Sequence, residues 1–417
     1  MQSNTLAKVL GPGLLFAGAA VGVSHLVQST RAGAGFGLAL ALIVVLANVL
    51  KYPAFSFGPR YAAATGKSLI EGYRRQGKWA LWIYAALTLG TMFTVMAVVT
   101  LVTAALVKGL FPTELSIITV SAIVMGGASV LVTVGGFRWL DRLVRVFVAI
   151  LTLCTLVATF MVLDKVDFSG PWWPPEDAFD GAKLLFIAGL IGWMPSAVDV
   201  AAWHSLWTLA KRKTSGHRPA VRESMLDFNI GYIGTALLAV CFLLLGAGVM
   251  QSHEVPTAAP KFANAVVNLY VATLGEWSAP IIGLAAFLVM LSTTITVTDG
   301  FPRAIACLLA RLKGPEVEGE DVTDGASYRI AVIVLVVGAL AVLIGFLGKG
   351  SFMDLVDLAT ALSFMTAPVL AYLNHRAVLS PEVGLEDRPS RPLVVYSWIG
   401  IAFLSAFCIA FFVLKFG

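Results

Sequence analysis

Residues Gly11–Gly37 read G-P-G-L-L-F-A-G-A-A-V-G-V-S-H-L-V-Q-S-T-R-A-G-A-G-F-G, an apolar stretch with polar side chains in its middle. It is long enough to cross a bilayer, since a span needs about 20 mostly apolar residues. Its centre nevertheless holds Ser24, His25, Gln28 and Ser29. Polar groups at that depth are costly and face a bundle interior or a water-filled cavity. The stretch therefore predicts a membrane helix that is broken near its middle and lines such a cavity.

A second stretch, Lys183–Lys213, is interrupted in the same way. Its core, residues 184–205, reads L-L-F-I-A-G-L-I-G-W-M-P-S-A-V-D-V-A-A-W-H-S. Gly189, Gly192 and Pro195 interrupt it, and Asp199 follows shortly after the proline. Proline removes a helical hydrogen-bond donor and clashes with the preceding turn, so it breaks or kinks a helix. Two interrupted helices in corresponding positions of two halves of a chain are the best sequence pointer to a transporter's binding site.

The composition of the chain is that of a polytopic membrane protein. Hydrophobic residues make up 58% of its 417 residues and charged residues only 13%, against about 25% charged in an average soluble domain. The mean hydropathy of +0.86 agrees with this reading. The sequence has no phosphate-binding loop of the G-x-x-x-x-G-K-[ST] type, and its four cysteines lie far apart inside apolar runs, as packing residues do. We therefore expect a protein of the lipid bilayer, without catalytic residues, cofactors or nucleic-acid partners.

Hydropathy predicts about eleven membrane spans, and the charges between them predict an orientation. Lysine and arginine crowd the connections on one side of the predicted membrane, whereas the loop near 166–182 on the other side is acidic and aromatic. Because short cytoplasmic loops carry the excess of Lys and Arg, we expect a cytoplasmic N-terminus and an external C-terminus in the plasma (inner) membrane. The predicted spans lie near residues 10–32, 35–58, 79–110, 116–135, 138–163, 183–210, 228–250, 277–310, 328–348, 352–374 and 392–415.

An odd number of spans with broken first and sixth helices predicts two inverted repeats of five spans and one extra helix. The expected divisions are a first repeat over 1–165, an external loop over 166–182, a second repeat over 183–376, and a linker with the last span over 377–417. An odd number of spans per repeat turns the second copy upside down in the membrane. The alternative is an unrelated helix bundle in which glycine and proline serve only close packing.

Several polar residues are candidates for substrate or proton chemistry. Ser24 and His25 lie at the first break, where His25 has a pKa suited to carrying a proton and an imidazole suited to binding a metal. Asp199 would need a cation, a proton or a partner, because a buried carboxylate must be neutralised; the structural alternative is an ion pair with a cation such as Arg31. His204 lies further along the same helix and is a candidate for a proton path, although the pattern favours a structural role.

Other polar residues of the spans favour packing or cavity-lining roles. Met194 stands at the second break with a soft thioether, although most membrane methionines fill the core. Asn48 and Lys51 of span two are interpreted as contacts within the helix and at a gate, and not as a site.

The eighth span is rich in hydroxyl groups, in the run L-S-T-T-I-T-V-T-D-G-F-P-R. Thr294 and Thr298 share one helical face and are candidates for lining a cavity, although such hydroxyls also bond back to the helix backbone. Asp299 and Arg303 are four residues apart and are expected to pair with each other.

These motifs resemble the Nramp family of proton-coupled divalent-metal transporters, which have the LeuT-type fold. The first stretch is similar to the family's first helix, with its opening Gly-Pro and its closing Ala-Gly-x-x-(Tyr/Phe)-Gly. The segment G-P-R-Y-A-A-A-T-G-K-S-L-I-E resembles the region after the family's second helix, and Met194-Pro195 matches the Met-Pro of its sixth. The resemblance covers nearly the whole length and implies an all-α protein of about eleven transmembrane helices, arranged as a 5+5 inverted repeat plus one.

The chain departs from the family at the metal site. The family's Asp-Pro-Gly-Asn of helix one falls on Gly22–His25, so its anionic ligand is missing, and Ser196 replaces the histidine of Met-Pro-His. The resemblance places the family's carbonyl ligand on Ile191. The remaining candidates to bind the substrate are Gly22, Ser24, His25, Ile191, Met194, Ser196, Thr294 and Thr298, of which His25 and Met194 would bind a metal; the candidates for proton coupling are His25, Asp199 and His204.

Two functions follow from this combination. The first is alternating-access transport of a metal cation, coupled to protons, through a remodelled site; a neutral set with His25 and Met194 suits a softer ion better than Mn²⁺, Mg²⁺ or Ca²⁺, unless Asp199 contributes. The second is proton-coupled transport of a small amino-acid-like solute or organic acid, for which the lost aspartate and the space at Gly22 argue. A channel or a transporter-derived sensor is a third class. In each case we expect a monomer.

Overall fold

The computed structural model describes residues 11–134, 136–250, 259–317, 320–323, 325–347 and 351–416, and side chains within this range except for those of 136–145, 147, 415 and 416. The described chain is built of helices joined by turns and loops, with no β-strand. A short π-helix, Ser24–Ser29, joins α1 to α2. The α-helices are α1 Pro12–Ala20, α2 Thr30–Phe36, α3 Ala41–Thr65, α4 Leu69–Gln76, α5 Lys78–Leu110, α6 Ile117–Val134, α7 Gly136–Val162, α8 Gly181–Trp193, α9 Val200–Ser215, α10 Val221–Leu245, α11 Ala259–Leu274, α12 Ala279–Lys313, α13 Ala326–Leu347, α14 Phe352–Val378 and α15 Arg391–Phe416.

Local sequence signals set the ends of several helices. The first turn of α14 is a capping box, in which Ser351 Oγ accepts from the Asp354 N–H at 3.2 Å and the Asp354 carboxylate accepts from the Ser351 N–H at 2.8 Å. Such reciprocal bonds satisfy donors that have no partner within the helix. Helix α3 ends at Gly66, whose φ of +70° is the left-handed conformation that glycine adopts without strain.

Nine described helices are long and apolar enough to cross a membrane, and ten spans result if the bent pair α1–α2 is one of them. That pair bends by 44° between Pro12–Ala20 and Ser24–Phe36, as the polar middle of the first stretch predicts. The sixth predicted span, 183–210, consists instead of two short helices, α8 and α9. The all-α multi-span architecture is therefore present, while the expected number of eleven spans is not confirmed.

The broken helices lie at the centre of the bundle. Helix α1 packs against α10 and α12, α8 against α14, and α9 against α3. Helices α5 and α12 are mostly buried by other helices, whereas most of the surface of α6, α13 and α15 is exposed apolar surface suited to lipid.

Glycine permits the closest of these helix contacts. A Cβ on Gly13 would lie 2.0 Å from the Asp227 carbonyl oxygen, and one on Gly231 would lie 2.0 Å from the Gly13 carbonyl oxygen, so α1 and α10 touch backbone to backbone. The Asp227 carboxylate also accepts hydrogen bonds from the Gly11 and Gly13 N–H groups at 3.1 and 2.6 Å. The start of α1 is therefore fixed to α10, and the chain beyond it reaches the first break from a rigid position.

Candidate functional site

The first break comprises residues Val21–Val23, between α1 and the π-helix. The side chains that directly follow it make hydrogen bonds with the backbone carbonyl at the end of α1. Ser24 Oγ donates a hydrogen bond to the Ala20 carbonyl oxygen and lies 2.8 Å from His25 Nδ1. The same Nδ1 lies 3.0 Å from the Ala20 oxygen, and His25 Nε2 lies 2.9 Å from the Thr235 carbonyl oxygen of α10. Both imidazole nitrogens of this fully buried side chain therefore face carbonyl groups, one on α1 and one on α10, which hold the ring between these two helices.

The second break comprises residues Met194–Asp199, between α8 and α9. A side chain from another helix makes hydrogen bonds with the backbone carbonyls at this break. Lys51 of α3 extends its Nζ atom to 3.0 Å from the Ile191 carbonyl oxygen, 2.7 Å from that of Gly192 and 2.8 Å from that of Ser196. The side chain is completely buried. The carbonyls at the C-terminal end of a helix have no partner within the helix, and the lysine ammonium supplies one.

A small cavity of about 30 Å³ lies between the two breaks, which is room for one or two water molecules. Its polar wall is formed by Ser24, Ser196, Asp199 and Thr293, and the rest of its lining is apolar. Thr293 Oγ1 is held by the Gly18 carbonyl oxygen at 2.9 Å, which fixes α12 against α1. The cavity therefore joins both broken helices to α12.

Asp199 is the chemically exceptional residue of this cavity. Its side chain is almost fully buried, and neither carboxylate oxygen has a hydrogen-bond partner in the part of the chain that the structure describes. The suggested ion pair with Arg31 is absent, because the Arg31 guanidinium binds the Asp357 carboxylate at 2.7 and 3.3 Å instead. A buried carboxylate without a partner is costly unless a proton or a cation neutralises it. The cavity thus presents a carboxylate that is prepared to receive a positive charge.

His204 is the second buried group without a polar partner, and it lies outside the cavity lining. Neither of its ring nitrogens makes a hydrogen bond among the described residues. Its ring stacks on Phe16 of α1, with centroids 5.9 Å apart, and tilts against Phe228 of α10 at 5.7 Å. Within the described chain, the imidazole is therefore held by aromatic contacts and not by hydrogen bonds.

The structure does not bring His25 and Met194 to the cavity as a soft metal site. Neither side chain lines it; Met194 Sδ instead accepts a contact from Ser29 Oγ at 3.6 Å. Among the described residues, no group of three or more His, Cys, Asp or Glu side chains is placed to hold a metal ion. The donors that do face the cavity are a carboxylate and hydroxyls, which are hard oxygen ligands.

The remaining candidates from the sequence take packing positions. Thr294 Oγ1 lies 2.8 Å from Thr103 Oγ1 of α5, and Thr298 Oγ1 donates to the Thr294 carbonyl oxygen at 2.7 Å, so both contact helices and not the cavity. Gly22 does not widen the cavity, because a Cβ there would meet Thr293 at 2.8 Å.

Contacts outside the cavity include one pair that the sequence predicted. Asp299 and Arg303 form the expected ion pair at 2.8 and 2.9 Å. Trp207 Nε1 and the Tyr328 hydroxyl donate to the same carboxylate, each at 2.9 Å. This buried aspartate is therefore fully partnered, in contrast to Asp199.

Sequence reasoning assigned too little to Lys51 and overlooked Thr293. A lysine inside an apolar span with no acidic residue within one helical turn on either side was the available signal for Lys51, because such a charge must find partners elsewhere in the bundle. No sequence signal distinguishes Thr293, because the hydroxyl-rich run in α12 places a serine or threonine on nearly every face of the helix.

Comparison with known proteins places the chain in a family. The sequence profile described as natural resistance-associated macrophage protein-like (Nramp) matches residues 13–414. An uncharacterised protein of Pasteurella multocida is 36% identical over 96% of this chain and 91% of its own length. The divalent metal cation transporter MntH 1 of Pseudomonas aeruginosa is 26% identical over 90% of this chain and 85% of its own length.

The fold is also found in solved structures. A manganese transporter of Eremococcus coleocola superposes with a TM-score of 0.73 at 15% identity, covering 98% of this chain and 87% of that protein. The expected all-α, LeuT-type fold is thereby confirmed.

Proposed function

Because the chain belongs to the natural resistance-associated macrophage protein-like (Nramp) family, a family of multi-pass membrane transporters and not of enzymes, we propose that it transports a hard divalent metal cation through the cavity between its two breaks. The observation that carries this proposal is the Asp199 carboxylate, which is buried, lines the cavity and has no hydrogen-bond partner among the described residues. In this proposal Asp199 of the second break takes over the charge that the family's missing helix-one aspartate would supply.

The class of cation follows from the ligands that face the cavity. Ser24, Ser196 and Asp199 offer oxygen atoms only, and oxygen ligands suit Mg²⁺ and Mn²⁺ better than copper(I) or zinc. A single carboxylate with several hydroxyls also leaves coordination positions for water, which Mg²⁺ retains readily. The cavity of about 30 Å³ is too small in this conformation for an amino acid, so the geometry does not favour an organic substrate.

We propose further that transport is coupled to protons and proceeds by alternating access. An empty cavity must hold a neutral carboxyl group, since an uncompensated carboxylate in the membrane is costly, and the arriving cation displaces that proton. In this scheme Asp199 takes its proton from the outside, the arriving metal displaces that proton to His204, further along α9, and both metal and proton are released to the cytoplasm. His25 is held between α1 and α10 by its contacts with the Ala20 and Thr235 carbonyls.

The remaining features of the proposal come from the sequence pattern. Residues 1–165 and 183–376 would form the two inverted repeats. Spans one, two, six and seven, two from each repeat, would rock against spans three, four, eight and nine around the cavity. The protein would act as a monomer in the plasma membrane, with its N-terminus in the cytoplasm and its C-terminus outside.

Uptake by proteoliposomes tests the proposed function. Protein reconstituted at an inwardly directed proton gradient should accumulate Mn²⁺ or Mg²⁺, and Asp199→Asn should abolish the saturable component. Asp177→Asn is the matched control, because it removes the same charge from an exposed loop position and should leave uptake unchanged. Wild-type rates in Asp199→Asn would refute the role of the carboxylate, and the absence of uptake of any divalent cation by the wild type would refute the substrate class.

A further inference from the structure

The environment of the Lys51 side chain is that of a bound cation. Its Nζ atom lies 2.7–3.0 Å from three carbonyl oxygens of the second break, those of Ile191, Gly192 and Ser196. Carbonyl oxygens only accept hydrogen bonds, so each of the three contacts requires an N–H on the lysine. A protonated lysine has three such donors and no acceptor, and its three donors match the three carbonyls.

No carboxylate of the described residues balances this charge. Among the described side chains, Lys51 takes part in no salt bridge, although the side chain is fully buried. The compensation comes from the negative end of the α8 dipole, whose terminal carbonyls point at the ammonium group, and from the face of the Phe55 ring, 5.6 Å from Nζ. Carbonyl groups that converge on a cation without a counter-ion resemble the coordination shells by which membrane proteins bind alkali ions.

We propose that the carbonyl cage of the second break, formed by the oxygens of Ile191, Gly192 and Ser196, is a site for a singly charged cation, and that Lys51 fills it as a tethered one. The three contacts have the length of ordinary N–H···O hydrogen bonds. Ca²⁺, which binds oxygen at about 2.3–2.6 Å, or Mg²⁺, at about 2.0–2.1 Å, would require the carbonyls to move inward. The cage as it stands therefore fits an ammonium group of charge +1, and it shares only Ser196 with the lining of the cavity at Asp199.

The tethered cation has a direct consequence for the substrate. The Ile191 carbonyl, which the family resemblance assigns to the transported metal, is already bound to Lys51 at 3.0 Å. A divalent ion that approached this oxygen would meet the ammonium charge in a medium of low dielectric constant, where repulsion is strong. Lys51 thereby restricts the metal to the ligands around Asp199 and holds the ends of α8 and α9 in register without any free ion.

The test is to remove the tether and offer a free cation. The full-length protein carrying Lys51→Ala is purified in detergent without divalent ions, and its Tm is measured in ammonium, methylammonium, potassium or choline chloride at equal ionic strength. The Tm should fall relative to the wild type and recover by at least half, saturably, in ammonium chloride but not in choline chloride. An ion that binds only the folded state raises its stability in this way.

Two controls separate a cation site from ordinary helix capping. Wild-type protein should show no selective response to ammonium, because its cage is full. Asn48→Ala removes a side chain one turn earlier on α3, whose amide donates to the Val44 carbonyl of its own helix, and its Tm should respond equally to ammonium and choline. Equal Tm values of Lys51→Ala in ammonium and choline would overturn the proposal, since a merely structural lysine leaves no ion-selective vacancy.

A second measurement tests the proposal even if Lys51→Ala does not fold. Wild-type protein labelled with ¹⁵N in its lysine side chains should give one ammonium signal that exchanges slowly with water and is missing in Lys51→Met, whose side chain fills the same space without charge. Absence of that signal would overturn the proposal. Neither measurement contains Mn²⁺ or Mg²⁺, so its failure leaves the proposed transport at Asp199 untouched, and the failure of transport leaves the cage untouched.

Discussion

The two breaks solve the same problem by different means. At the first break, the Ala20 carbonyl is satisfied by Ser24 and His25, its neighbours in sequence. At the second break, the buried carbonyls that lack a helical partner are satisfied by Lys51, which lies 140 positions from Ile191 along the chain. Residues 21–25 at the first break include no carboxylate, whereas the Asp199 carboxylate of the second break has no hydrogen-bond partner within the described chain.

This difference separates a structural break from a chemical one. A break that is closed by adjacent side chains keeps its geometry as long as the local sequence is intact. A break that depends on a distant cation and holds a lone carboxylate responds to ions and to helix movement. The proposed cation chemistry is therefore centred on the second break, although the family resemblance draws attention to the first.

The largest effect on stability is expected from Lys51→Met. The substitution keeps the volume but leaves three buried carbonyls without a donor, and each unsatisfied group costs about 1–3 kcal/mol. We expect a loss of roughly 3 kcal/mol or more, measured by thermal or denaturant unfolding in detergent, with Asn48→Ala as the smaller comparison. Stability within experimental error of the wild type would mean that the second break does not depend on α3.

A smaller effect is expected from Gly22→Ala at the first break. The new Cβ would lie 2.8 Å from both Cγ2 and Oγ1 of Thr293, so the threonine must move and weaken its bond to the Gly18 carbonyl. Overpacking of this kind costs about 1–3 kcal/mol, measured in the same unfolding assay. The matched control is Gly22→Ala in a Thr293→Ala background, where both clashing atoms are missing. If Gly22→Ala costs as much in that background as in the wild type, Thr293 is not the obstacle.

The smallest effect is expected from Ser24→Ala. The Ala20 carbonyl would lose the serine hydroxyl but would keep His25 Nδ1 at 3.0 Å, so the cost should be about 1 kcal/mol. Ser29→Ala is the control, because its hydroxyl makes only the long contact with Met194 Sδ at 3.6 Å, and it should cost less. If Ser24→Ala destabilised the protein as much as Lys51→Met, His25 could not replace Ser24 as the hydrogen-bond partner of the Ala20 carbonyl.

Much of the architecture could be predicted from the sequence because its signals are local. Polar residues inside an apolar run, together with Pro195, marked both breaks, and motifs along the chain indicated the family. The number of spans was harder, since α8 and α9 are each too short to be recognised as a span by length and hydropathy.

The candidate site was only partly predictable because it depends on which faces meet. The sequence indicated Asp199 as a candidate, but it could not show that Arg31 forms an ion pair with Asp357 and not with Asp199. The rotation of α12 directs Thr293 to the cavity and Thr294 to α5, and no local pattern distinguishes these neighbours. Lys51, which binds the carbonyls of the second break, lies on α3, and the sequence of that helix does not indicate which residues Lys51 would contact.

The most direct test of the central claim is calorimetric binding of Mn²⁺ and of Mg²⁺ to purified wild-type protein, Asp199→Asn and His25→Ala. The account predicts saturable binding to the wild type, little change in His25→Ala, and a loss of affinity in Asp199→Asn of about 100-fold, or roughly 2.7 kcal/mol. Wild-type affinity in Asp199→Asn, with binding lost in His25→Ala, would contradict the account and place the cation at the first break.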